Sequence, residues 1–240
     1  VIHLTFSDDT LGLEKVYYTK WYGEGWRNAG GSPGYDEFYV DYSLSNRNPS
    51  LDIDDIDNPY LVWSSSFSED SSDIYFTRWN GSFWCKSNGE GGYENISGNP
   101  SSDSINPELR IDKLGRVNIV WSDNEKNGQY DIFLTRYEST KWLTPYGSSG
   151  YDNVSNSYTH SLFPSLTFNI LDDPRIAWLE VKEEETYEVR YATWLYGGWS
   201  TESGESVGDR VGQGYYRDEI YTEKKHFTVF PEYKLESEEY

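Results

Sequence analysis

The chain has 240 residues, with 41 acidic side chains against 20 lysines and arginines, for a formal net charge of −21. This excludes a nucleic-acid binder, whose affinity rests on cations that neutralise phosphates, and no apolar run reaches the roughly 18 residues of a membrane-crossing helix. Aromatic residues make up 18% of the chain; their large buried areas supply a core and exclude a disordered chain.

Ile2 to Phe6 is the first predicted strand, nearly all apolar. Val16 to Trp21 follows, then a tight hairpin at Tyr22-Gly23, a tryptophan at Trp26, and a polar loop that leads into Gly34-Tyr35-Asp36. Leu51-Asp52-Ile53 alternates apolar and polar residues, as a half-buried strand does. An Asp/Asn turn at 54–58 leads into Tyr60 to Trp63, a continuous apolar run suited to a strand covered on both faces. Ile74 to Trp79, the Asn80-Gly81 hairpin, Trp84 and Gly92-Tyr93-Glu94 complete the set. The same series recurs from Leu109 to Asp152 and from Leu166 to Trp199. No segment carries a sustained helical period.

Each series starts at a proline: Pro49, Pro107, Pro164 and Pro231, about 58 residues apart in the regular copies. Trp63, Trp121 and Trp178 stand fourteen residues after the first three. The fourth copy stops at Tyr240, and its continuation stands at Leu4-Thr5-Phe6. The expected fold is therefore all-β: a four-bladed β-propeller with four antiparallel strands per blade, closed by the C-terminal strand pairing into the N-terminal blade. The blades are residues 1–48 with 230–240, then 49–106, 107–163 and 164–229.

The blade pattern, from Pro-Ser-Leu through Val-Trp-Ser to Asp-Ile-Tyr-Phe-Thr-Arg-Trp-Asn-Gly-Ser-Phe-Trp, resembles extracellular sialidase-like propellers, with a degenerate Asp-box turn that keeps the final tryptophan and lacks the aspartate. The blade number, the absence of Met and the acidity resemble an uncharacterised four-bladed propeller of hyperthermophilic archaea. The resemblance implies a secreted or surface-held protein and brings no activity with it.

The residues give several candidate chemistries. Arg78 and Arg136 recur at equivalent positions, which marks strand-surface residues rather than an arginine triad. Asp52, Asp54, Asp55 and Asp57 are read as turn chemistry rather than a calcium loop. A cation, calcium or another, is a further candidate for the central channel. His160 and His226 fall on one rim; Cys85 is a small buried or edge residue. Tyr35, Tyr93 and Tyr151 either plug the seams between blades or stack on a sugar. Asn95-Ile96-Ser97 and Asn153-Val154-Ser155 are either glycan acceptors or a repeated turn. The irregular fourth copy holds the candidate binding set Tyr196, Trp199, Arg210, Tyr215, Tyr216 and Arg217. No acid stands out as half of a catalytic pair. The expected function is a non-catalytic module that binds a glycan or an extracellular protein through rim loops. A glycan-processing hydrolase with rim carboxylates and a structural surface-assembly module are the competing readings.

Overall fold

The computed structural model describes residues 1–200 other than 11, 41–42, 100, 127, 184–185 and 196. Four antiparallel sheets follow one another along the chain. The first holds β1 (Ile2–Asp8), β2 (Lys15–Trp21), β3 (Trp26–Arg27) and β4 (Asp36–Phe38). The second holds β5 (Ser45–Ile53), β6 (Pro59–Ser68), β7 (Ser71–Trp79), β8 (Trp84–Cys85) and β9 (Glu94–Asn95). The third holds β10 (Ser104–Ile111), β11 (Val117–Lys126), β12 (Gln129–Glu138), β13 (Lys141–Leu143) and β14 (Asp152–Asn153). The fourth holds β15 (Ser161–Phe168), β16 (Pro174–Glu183), β17 (Thr186–Leu195) and β18 (Gly198–Ser200).

The proline signature marks the middle of the innermost strand, not its start. β5 begins at Ser45, ahead of Pro49, and its register with β6 shifts between Arg47 and Ser50. The same shift precedes Ser165 and Glu108. Proline has no N–H for the ladder, so the strand bulges there. The residue before it turns left-handed, with φ of 53° at Asn48, 52° at Asn106 and 53° at Phe163.

The outermost position of each of the first three sheets is shared by two short strands. β7 pairs with β8 along one stretch and with β9 along another, and β12 pairs likewise with β13 and β14. A buried threonine ties the halves together: Thr77 Oγ1 lies 3.2 Å from the Cys85 carbonyl and 2.9 Å from that of Gly92. Gly34, Gly92 and Gly150, with φ of 115°, 107° and 106°, turn the chain back into the second half, a conformation open to glycine.

Neighbouring sheets stack face to face through three cores. Val16, Tyr18 and Phe38 of the first sheet meet Leu61 and Trp63 of the second. Val62, Ile74 and Phe76 meet Leu109, Ile119, Trp121 and Phe133. Val120, Ile132 and Leu134 meet Leu166, Ile176, Trp178 and Ala192. Successive residues of β6 and β11 thus enter different cores, which explains why these strands are apolar throughout. Fully burying a side chain such as Trp121 contributes about 3 kcal/mol.

Aromatic contacts seal the seams. Tyr93 packs edge-on against Trp63 and Tyr75, 5.6 and 5.9 Å away, and its hydroxyl donates to the Tyr39 carbonyl of the preceding sheet. Tyr151 packs in the same way on Trp121 and Phe133. The hairpin tryptophans reach back one sheet: Trp142 Nε1 donates to Glu94 at 3.1 Å, and Trp199 Nε1 to Asp152 at 2.7 Å.

Candidate functional site

One rim gathers the starts of β5, β10 and β15 and the ends of β6, β11 and β16. The registers Ser45 with Ser66, Ser104 with Asp123 and Ser161 with Glu180 place them together. Two residues after each buried tryptophan stands a polar side chain turned toward this rim: Ser65, Asp123 and Glu180. Ser65 donates to Asn46 Oδ1 at 2.9 Å. Its shorter side chain leaves Trp63 Nε1 without a hydrogen-bond partner, whereas Trp121 Nε1 meets Asp123 at 3.3 Å and Trp178 Nε1 meets Glu180 at 3.0 Å.

Glu180 and Asp123 occupy equivalent positions with different electrostatics. Burial works to raise Glu180, but donors from Ser157, Trp178, Ser161 and Thr159 together hold its carboxyl below the usual range. Asp123 accepts from Ser104 at 2.5 Å and from the Glu125 amide at 2.8 Å. There burial wins and pushes the carboxyl up. Glu180 is thus satisfied as an anion, and Asp123 retains its proton to higher pH.

Asp103 stands just ahead of β10 and is 8% exposed. Its Oδ2 accepts the Tyr130 hydroxyl at 2.5 Å, while its Oδ1 is buried with no hydrogen-bond partner. Burial, and then the hydrogen bond to Asp103, push the Tyr130 phenol up, so Tyr130 keeps its proton and acts as a donor. The Tyr130 amide donates to His160 Nδ1 at 3.2 Å, with the two rings 5.6 Å apart. Arg47, an exposed cation on this rim, reaches Ser66 Oγ at 3.3 Å. Ser66 bonds Ser72, which bridges to Asp103 through the backbone.

Of the binding set expected from sequence, only Trp199 lies within the described residues; Tyr196, Arg210, Tyr215, Tyr216 and Arg217 lie outside them, as does His226. Trp199 is a seam residue, packed on the core between the third and fourth sheets. The Asn-x-Ser motifs are latches. Asn95 and Ser97 donate to the buried Asp73 at 2.8 and 2.9 Å, and Asn153 and Ser155 to Asp131 at 2.7 and 2.9 Å.

The Asp52–Asp57 cluster is likewise divided among structural tasks. Asp54 caps its own turn, Asp52 accepts the Ile111 amide of the next sheet, and Asp57 meets His3 at 3.0 Å. Arg78 lies over Tyr60, and Arg136 pairs with Glu138. Cys85 is buried.

Among the described residues no group of three or more His, Cys, Asp or Glu is arranged to hold a metal ion. On the inner strands Glu108 pairs with the Arg110 guanidinium at 2.7 Å and accepts the Leu166 amide at 2.9 Å.

No family model matches the chain, and no curated protein does. Among solved structures it is similar to a protein of unknown function from Dyadobacter fermentans, with TM-score 0.54 and 11% identity over 82% of this chain and 64% of that one. It is also similar to an endo-arabinase from Bacteroides thetaiotaomicron, with TM-score 0.44 and 14% identity over 79% and 73% of the two chains. A Hadza microbial sialidase gives TM-score 0.49 and 11% identity over 78% of this chain and 44% of that one.

The fold is of the propeller type, built from four described antiparallel sheets. The expectation of a module that catalyses nothing is corrected toward its glycan-processing alternative. The repeat pattern does not reveal the acids of this rim, because the equivalent positions Ser65, Asp123 and Glu180 differ in chemistry from sheet to sheet. Among the described residues no helix is long and apolar enough to cross a membrane.

Proposed function

We propose that the chain hydrolyses glycosidic bonds at the rim where β10 and β15 begin. The observation that carries this reading is Asp103, a buried carboxylate with Tyr130 on one oxygen and no partner on the other, one residue from the Ser104 that binds Asp123. A buried oxygen left without a partner calls for a ligand, a water or a reacting group. Glycoside hydrolysis needs two carboxyl groups in different protonation states. Asp123, lifted by burial, supplies the acid. Asp103, oriented by Tyr130, supplies the nucleophile or base.

The four-bladed ring is closed by the C-terminal strand pairing into the N-terminal blade, and the protein works outside the cell. Heat adaptation and an archaeal source belong to this reading as well.

Reducing-end release from a panel of plant and bacterial polysaccharides tests it. Activity in the intact chain that drops at least about 1,000-fold in Asp103→Asn and Asp123→Asn, with cooperative melting kept, supports it. Full activity in both variants overturns the assignment.

A further inference from the structure

Tyr158 is 94% exposed, on the loop that leads into β15. Exposure of one ring is ordinary; its mounting is not. Both neighbours are anchored: the Ser157 amide donates to Asp131 at 2.8 Å and Thr159 Oγ1 to Glu180 at 2.9 Å. The Tyr158 carbonyl itself accepts Gln129 Nε2 at 2.6 Å. The backbone is held on three sides while the ring projects into solvent. Counting back from each proline, Tyr158 corresponds to Ser43 and Ser101. It is therefore private to one blade, unlike the seam tyrosines, and the repeat does not need it for packing.

Tyr158 also borders the proposed reaction centre. His160, two residues on, takes the Tyr130 amide, and Tyr130 holds Asp103. On the other side the His160 carbonyl accepts the Val181 amide, and Val181 pairs with Tyr187, itself 60% exposed. Tyr187 therefore lies two strand spacings from His160, roughly 10 Å. Two exposed rings thus stand on the rim of the fourth sheet, beside the centre on the third.

We infer that Tyr158, with Tyr187 beyond it, is a stacking platform for the flanking units of a neutral oligosaccharide. An aromatic ring offers an apolar face with a polar tip, and a rigid mount lowers the entropy lost on binding. Neutrality follows from the rim, where Asp103, Glu125 and Glu180 outnumber the exposed cation Arg47, and from a net charge of −21, which repels acidic sugars. This inference rests on the hydrolase reading of the same rim.

Calorimetric binding and hydrolysis of neutral xylo-, arabino- and gluco-hexasaccharides test it, beside oligogalacturonate, with the intact chain, Tyr158→Ala and Tyr158→Phe. The expected result is binding of a neutral hexasaccharide that weakens at least about 10-fold in the alanine variant and is kept by phenylalanine. Hydrolysis of a short aryl glycoside stays unchanged in both. Binding without cleavage upholds the platform and removes the hydrolase. Cleavage of hexasaccharides at the parent rate by Tyr158→Ala does the reverse. Preference for oligogalacturonate, or no binding to any of these sugars, overturns the inference.

Discussion

Single side chains set the chemistry of the rim, and two equivalent acids show how. Both accept from several donors; at Glu180 the donors outweigh burial and hold the carboxyl down, whereas at Asp123 burial wins and pushes it up. A carboxyl lowered in the fold contributes stability that is full above its unfolded pKa and lost as pH falls through the folded one. Glu180→Gln is therefore expected to lower unfolding free energy by about 3 kcal/mol at pH 7, with the gap to the parent closing below about pH 4. Denaturant melts across pH read this directly. Asp123 has the opposite sign: its proton is held more tightly in the fold, so glycan cleavage falls as pH rises through its raised pKa. The alkaline limb of the rate profile then belongs to Asp123. A limb that persists in the residual activity of Asp123→Asn points to another acid. The bulge gives a third test. Asn106→Ala at φ 52° is expected to cost about 1 kcal/mol, and Asn106→Gly only a few tenths.

At the scale of elements, the seams repeat with one informative difference. Trp142 Nε1 has Glu94 as acceptor, whereas Trp84 Nε1 is buried without one, although its ring packs on Tyr18 and Phe38. A bulky aromatic replacement removes the N–H in both and keeps most of the packing. Trp142→Phe should cost about 1 to 2 kcal/mol more than Trp84→Phe in chemical denaturation; equal losses would show that the hydrogen bond adds nothing.

Strand order and the seam aromatics are legible in the sequence because each repeats: a tryptophan at a fixed offset from a proline is a packing signal. The split outer strand is less so, since β8 and β9 are two residues each and depend on Thr77 rather than on a pattern of their own. Asp103 and Tyr158 are hidden for the opposite reason. They depart from the repeat, and only the approach of Tyr130 from the neighbouring hairpin gives Asp103 its setting. The irregularity of the fourth copy is one of loop length, whereas Asp103 and Tyr158 are irregular as single positions. Its one described member, Trp199, serves a seam.

On the scale of the whole molecule, the first sheet differs from the other three among the described residues. The other three each have an inner strand, β5, β10 or β15, inside the long hairpin, whereas β1 has no such neighbour among the described residues. Trp21 and Trp26 are 37% and 43% exposed, and a groove of about 300 Å³ opens beside them, lined by Val1, Ile2, Trp21, Tyr22 and Gly23. Their counterparts Trp79 and Trp84 press on the preceding sheet, Trp79 over Gly30 at 3.7 Å from where a Cβ would stand. If the ring closes through the C-terminal strand, truncation before Phe230 lowers the melting temperature and speeds amide exchange along β1. Unchanged melting and unchanged β1 exchange in the truncated chain would remove that strand from the fold.

The most direct measurement is a crystal structure of Asp103→Asn soaked with the neutral hexasaccharide that the intact chain cleaves fastest. The expected result is a sugar chain across the rim, its scissile bond between residue 103 and Asp123 and a flanking ring on Tyr158. A sugar seated elsewhere, in the groove beside Trp21 and Tyr22 or along the outer strands, would contradict the assignment of the rim as the reaction centre.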